Sequence, residues 1–108
     1  LLGPNALFSI TPQDMLLRAS SRQEVNSLAF KYLKKGVISL DQTMQAIARK
    51  NNIVFYSKIQ SICYQNQCEV VLKDDMLSFL DRTHWTYVGA ARFGNKIFST
   101  SLDSVVNL

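Results

Sequence analysis

The chain has 108 residues, a formal net charge of +4 and 47% apolar residues, with only four glycines and two prolines. That length fits one domain, long enough to bury about two-thirds of the surface its unfolded form exposes. The composition excludes collagen-like and low-complexity disordered classes. The basic residues form no stripe interleaved with aromatics, which argues against a nucleic-acid partner. No apolar run approaches the roughly 18–20 residues a membrane span needs. The chain opens on Leu1-Leu2-Gly3 rather than Met, as a processed fragment would.

Leu1 to Ile10 shows no clear period and reads as a loose or extended lead. Thr11-Pro12-Gln13-Asp14 then starts a short helix: Thr11 can cap, Pro12 fits the first helical position, and Asp14 suits the positive end of the dipole. Ser21-Arg22-Gln23-Glu24 is a capping box. After it Val25, Leu28, Ala29, Tyr32 and Leu33 share one helical face, and Lys34, Lys35 and Gly36 supply a C-terminal signal. The plainer reading of that face is packing within its own domain; the alternative is a membrane surface or a partner helix.

Val37-Ile38 reads as a short strand. Ser39-Leu40-Asp41-Gln42 resembles a second capping box, and the helix it opens places Leu40, Met44, Ile47 and Ala48 on one face before Asn51-Asn52 ends it. Ile53 to Tyr56 is a β-branched and aromatic run, hence a strand. A polar connection from Ser57 to Gln67 follows, then a strand over Cys68 to Leu72. Asp74 caps a predicted short helix with Met76, Leu77 and Leu80 inward and Phe79 off the stripe, ending near Thr83. Trp85 to Val88 and Lys96 to Thr100 read as a hairpin, with Gly89 and Gly94-Asn95 in its connection. The expected fold is α+β: a small mixed sheet of βαββαββ type with two helices on one face, preceded by a helical extension. The expected boundaries are residues 1–36 for the extension, 37–100 for the domain and 101–108 for a tail or linker.

Cys63 and Cys68 flank Tyr64-Gln65-Asn66-Gln67. A local disulfide across that turn would suit an oxidising compartment; two unpaired thiols are the alternative. A zinc site lacks ligands, because His84 is the single histidine. Asp74 and Asp75 are neighbours about 100° apart on a helix start and do not converge on one atom, so capping explains them. His84 reads as a boundary residue between the second helix and Trp85, since a catalytic or pH-switch role needs an identifiable partner. Trp85 and Tyr87 read as packing residues rather than a stacking platform. No phosphate-binding glycine loop is present. No catalytic residue, cofactor or metal is expected, and the chain reads as non-enzymatic.

The run Ile38-Ser39-Leu40, Met44-Gln45-Ala46-Ile47-Ala48, Asn52-Ile53-Val54-Phe55-Tyr56 is followed by Val70-Val71-Leu72-Lys73-Asp74, Leu77-Ser78-Phe79-Leu80, His84-Trp85-Thr86-Tyr87 and Asn95-Lys96-Ile97-Phe98. This pattern of apolar positions, over about residues 37–100, resembles the secretin and TonB short N-terminal domain. It departs from the family in the lead-in to the second helix, in the cysteine pair and in the helical extension. The resemblance implies a periplasmic protein–protein interaction domain of an outer-membrane secretin, serving pilus biogenesis (a type IV pilus, for example) or protein secretion. Such a domain docks to inner-membrane components, substrate or neighbouring subunits, in a homo-oligomeric ring in the full-length protein. The alternatives it implies are the signalling domain of a TonB-dependent transducer contacting an anti-sigma regulator, or a type IV secretion lipoprotein. The expected contact surfaces are Gln42, Gln45 and Arg49 on the first helix of the domain, and the edge strand carrying Lys96, Phe98 and Thr100.

Overall fold

A computed structural model gives the structure of residues 1–106; for residues 98, 100 and 101–106 the description is of the backbone alone. The chain enters as an extended segment and continues into α1 (Pro12–Arg18), α2 (Arg22–Lys31) and α3 (Lys35–Lys50). A short α4 (Lys58–Ile62) leads into a two-stranded antiparallel hairpin, β1 (Cys63–Tyr64) and β2 (Gln67–Cys68). An irregular, doubly reversed stretch follows, and α5 (Tyr87–Val106) closes the chain.

The first two helices start where the capping residues stand. The Thr11 hydroxyl accepts the Asp14 N–H at 3.1 Å, and the Ser21 hydroxyl accepts the Glu24 N–H at 3.1 Å. The Glu24 carboxylate reaches back one residue further than the motif predicts, accepting from the Ser20 N–H at 3.1 Å. α2 ends at Lys31, and Leu33 drops into the core beside Phe8. The inward face of α2 includes a polar residue. The buried Asn26 amide donates to the Val71 carbonyl at 3.0 Å and accepts the Val71 N–H at 2.9 Å, completing the backbone pairing of an extended segment from a helix.

The lead from Leu1 to Ile10 is not loose. Leu1 and Gly3 pair in parallel with the segment around Tyr56: the Tyr56 N–H donates to the Leu1 carbonyl at 2.8 Å, and the Gly3 N–H to the Tyr56 carbonyl at 2.9 Å. Gly3 allows this close approach: a Cβ there would meet the Asp41 carboxylate and the Phe55 ring, and both side chains would have to shift. Further on, Ala6 and Phe8 are fully buried. The core gathers Phe8, Met15, Val25, Ala29 and Leu33 with Ile62, Val70, Phe79 and Phe93, so both ends of the sequence contribute to one cluster. Phe8 meets Phe79 edge-on with centroids 5.1 Å apart, and Phe93 lies 5.3 Å from Trp85. Burying a phenylalanine fully is worth roughly 1.5–3 kcal/mol relative to leaving it exposed.

The coarse class stands: helices combined with a small antiparallel sheet. The βαββαββ topology does not, and each departure has a local cause. Val37 and Ile38 are not a strand; they lie in the first turns of α3, and Gly36 is inside that helix rather than ending the one before it. The half-buried and buried positions Val37, Ile38, Asp41, Met44, Gln45 and Ala48 form a helical stripe, which replaces the predicted Leu40 and Ile47 face. Leu40 and Ile47 are about half exposed. Asn52 takes φ 55°, the left-handed ending its side chain favours.

The polar connection after Tyr56 contains α4, which Ser57 caps by accepting the Gln60 N–H at 3.0 Å. No helix runs from Asp74 to Thr83. Asp75 adopts φ 59°, and the Leu72 N–H donates to the Met76 carbonyl, so the chain reverses. Residues 77–79 then run antiparallel to 70–71, and Val71 bridges Leu77. A second reversal follows, and Phe79 bridges Trp85. Side chains therefore alternate: Phe79 is fully buried, while Met76 and Leu80 are exposed, the reverse of the helical expectation.

The predicted Trp85–Thr100 hairpin does not form: Trp85 bridges Phe79, and residues 87–100 are helical, part of α5. Thr86 caps it, its hydroxyl accepting the Gly89 N–H at 3.0 Å. Gly89 and Phe93 are buried one turn apart, with Lys96 and Ile97 half-buried a turn later, which is a period of about four residues rather than two. Gly89 is there for close approach rather than for a turn: a Cβ on it would collide with the backbone of Ser78. Among the described residues, no helix is long and apolar enough to cross a membrane.

Candidate functional site

The second reversal carries the arrangement with chemical potential. The Leu80 N–H donates to the His84 carbonyl at 2.8 Å, closing a loop over Asp81-Arg82-Thr83-His84. Inside it, one oxygen of Asp81 accepts the Thr83 N–H at 2.9 Å and the His84 N–H at 2.8 Å. This is how an aspartate competes with helix formation, by binding the backbone ahead of it. The other Asp81 oxygen lies 2.9 Å from Nδ1 of the His84 ring. Bonds from the His84 and Thr83 backbone N–H groups, joined by the His84 ring, hold the Asp81 carboxyl at about 2, below its ordinary 3.8. Both side chains are more than half exposed.

The loop is anchored from the other end of the chain. The Phe8 N–H donates to the Arg82 carbonyl at 2.9 Å, and the Thr83 hydroxyl donates to the Ala6 carbonyl at 3.0 Å. The Asn5 amide donates to the Thr83 carbonyl at 2.6 Å. Three residues after the loop, α5 begins, so the pair sits in a fixed turn just ahead of a helix start.

The disulfide predicted between Cys63 and Cys68 is formed. It spans the two-residue turn Gln65-Asn66, whose φ values of 53° and 62° match the primed turn of a tight hairpin. The expected contact residues fall on two helices, α3 and α5. Gln42 and Arg49 are exposed on α3 and Gln45 is half-buried. Lys96 is not on an edge strand; it is a residue of α5 whose ammonium meets the Glu69 carboxylate and the Ser61 carbonyl. The side chains of Phe98 and Thr100 lie outside the described residues.

Glu69 also accepts from Arg92 at 3.1 Å. Burial pulls its carboxyl upward, but the hydrogen bonds and charges of Arg92 and Lys96 outweigh that and hold it below the usual range. This cluster fastens the disulfide hairpin to α5. Among the described residues, no group of three or more His, Cys, Asp and Glu side chains could hold a metal ion.

Sequence reasoning passed over Asp81 because it placed residues 74–83 in a helix. The available signal was an aspartate three residues before the single histidine, a spacing at which a carboxylate can bind both the ring and the intervening backbone. No family model, curated protein or solved structure matches this chain.

Proposed function

We propose that Asp81 and His84 form the acid–base half of a site for ester hydrolysis or acyl transfer. The observation that carries this reading is the 2.9 Å contact from His84 Nδ1 to a carboxylate that two backbone N–H groups already hold in place. With the Nδ1 proton directed at Asp81, the neutral ring presents its Nε2 lone pair on the opposite side. A hydroxyl or water brought to Nε2 would give up its proton as it attacked an acyl carbon. The imidazolium so formed faces the Asp81 carboxylate and can return the proton to the leaving group. Among the described residues no hydroxyl or thiol is hydrogen-bonded to His84, and both cysteines are in the disulfide. The nucleophile is therefore water or a hydroxyl brought in from elsewhere, and the exposure of the pair leaves room for it.

Hydrolysis of p-nitrophenyl acetate tests this directly. The chain should exceed the buffer rate, His84→Ala should fall to it, and Asp81→Asn should lose on the order of tenfold or more. Equal rates for all three proteins would end the reading.

A second reading is an extracytoplasmic docking domain, as the family resemblance implies. The disulfide supports an oxidising compartment. Leu40 and Ile47 on α3, with Ile53 and Val54 after it, are apolar and about half exposed, next to the exposed Gln42 and Arg49. The partners are those of the resemblance, envelope proteins or further copies in a ring, but the support is this surface, since the βαββαββ topology expected from the resemblance is not formed. A photo-crosslinker at position 47 should capture an envelope protein or a second copy in a periplasmic extract. The absence of any adduct would remove this reading.

A further inference from the structure

We infer that Asn5 is a positioning residue for the Asp81–His84 pair, acting through the peptide group between Thr83 and His84. The inference rests on the acid–base reading above. Its basis is that one peptide plane is gripped on both edges. Its carbonyl, that of Thr83, accepts the Asn5 Nδ2–H at 2.6 Å. Its N–H, that of His84, donates to Asp81 at 2.8 Å. A donor on the carbonyl polarises a peptide and makes its N–H a stronger donor, so the two bonds reinforce each other. Asn5 thus fixes one of the two planes that orient the carboxylate, and the carboxylate orients the ring.

The other two tethers of the loop differ. The Phe8 N–H holds the Arg82 carbonyl at 2.9 Å, and the N–H of that same peptide, Thr83's, also donates to Asp81 at 2.9 Å, so main chain grips the first Asp81-binding peptide as the Asn5 side chain grips the second. The Thr83 hydroxyl holds the Ala6 carbonyl and touches neither peptide group. Asn5 is also a poor choice for stability alone. Among the described residues its Oδ1 is buried with no hydrogen-bond partner, so the side chain satisfies the Thr83 carbonyl at a cost of its own. The amide orientation is fixed by its neighbour, because the Thr83 carbonyl can only accept.

The test is the tautomer of the His84 ring, read from its two ¹⁵N shifts above the pH at which the ring is charged. In the unaltered chain the Nδ1–H form should dominate. Asp81→Asn should abolish that preference. Asn5→Leu should remove at least half of it, and the Asp81 carboxyl should titrate higher than in the parent. Thr83→Val, which loses a tether of the same loop but keeps the peptide, should leave the tautomer unchanged.

If Asp81→Asn leaves the tautomer unchanged, the acid–base reading fails whatever Asn5 does. If Asp81→Asn shifts it and Asn5→Leu does not, or if Thr83→Val shifts it as much as Asn5→Leu, the role of Asn5 is overturned and the pair stands. Should Asn5→Leu not fold, the coupling across the hydrogen bond from Asn5 Nδ2 to the Thr83 carbonyl carbon in the unaltered chain decides: its presence supports the inference and its absence overturns it.

Discussion

The two longest helices of the chain have opposite surroundings. α5 lays Gly89 and Phe93 into the core, and its first turns are covered by the doubled-back segment around Ser78 and Phe79. α3 is sixteen residues long, yet only Asp41 and Ala48 on it are buried. Both sequences contain apolar residues at helical spacing. Spacing says which residues can share a face; what covers that face depends on segments far away in sequence. The difference divides the molecule into a side where substitution disturbs a packed core and a side where it meets solvent.

The largest effect should come from the lead segment. Removing residues 1–9 takes Ala6 and Phe8 out of the core and three tethers off the Asp81 loop, so the truncated chain should lose its cooperative thermal transition. Next, Phe79→Ala should cost about 3–5 kcal/mol in denaturant unfolding, whereas Ile47→Ala on the open face of α3 should change stability by less than about 0.5 kcal/mol. Similar costs at both positions would erase the contrast between the two sides.

Asn26→Ala should cost about 2–3 kcal/mol, because both backbone groups of Val71 would be left buried without their partner. The Cys63–Cys68 bridge closes only a short loop, and by the chain-entropy estimate its reduction should cost about 2 kcal/mol. Intact mass after alkylation without reductant should show no added label.

The smallest effect is a pH dependence at the Asp81 loop. Its carboxyl is held at about 2 in the folded chain against an ordinary 3.8, so folding favours the charged form. The stabilisation is complete above the ordinary value and is lost as pH falls from there through about 2. The Thr83 and His84 amide resonances should move over that window, while those of α3 stay put.

Much of the chain was legible wherever one residue decides a local geometry. Thr11 and Ser21 start their helices, Asn52 ends one in the left-handed region, and the cysteines pair across their turn. The reading failed where a distant contact decides. Gly89 and Gly94 look like turn residues in sequence, yet both are helical, the first because Ser78 presses against it. Residues 74–83 have helical spacing, yet Asp75 and Asp81 fold the backbone back on itself at either end. The candidate site lies in that misread stretch, so its parts were visible and their proximity was not. The acid–base pair depends on a turn that apolar periodicity does not report.

The contact at Gly89 has a bearing on how this sequence can vary. A helix normally tolerates alanine better than glycine at any interior position. Here the added methyl would strike main chain, which has no rotamer to yield. In a saturation library the first turn of α5 should therefore show an inverted preference at this one position, glycine surviving and alanine depleted. Second-site suppressors of Gly89→Ala should fall in the 77–80 segment, where the backbone would have to step aside.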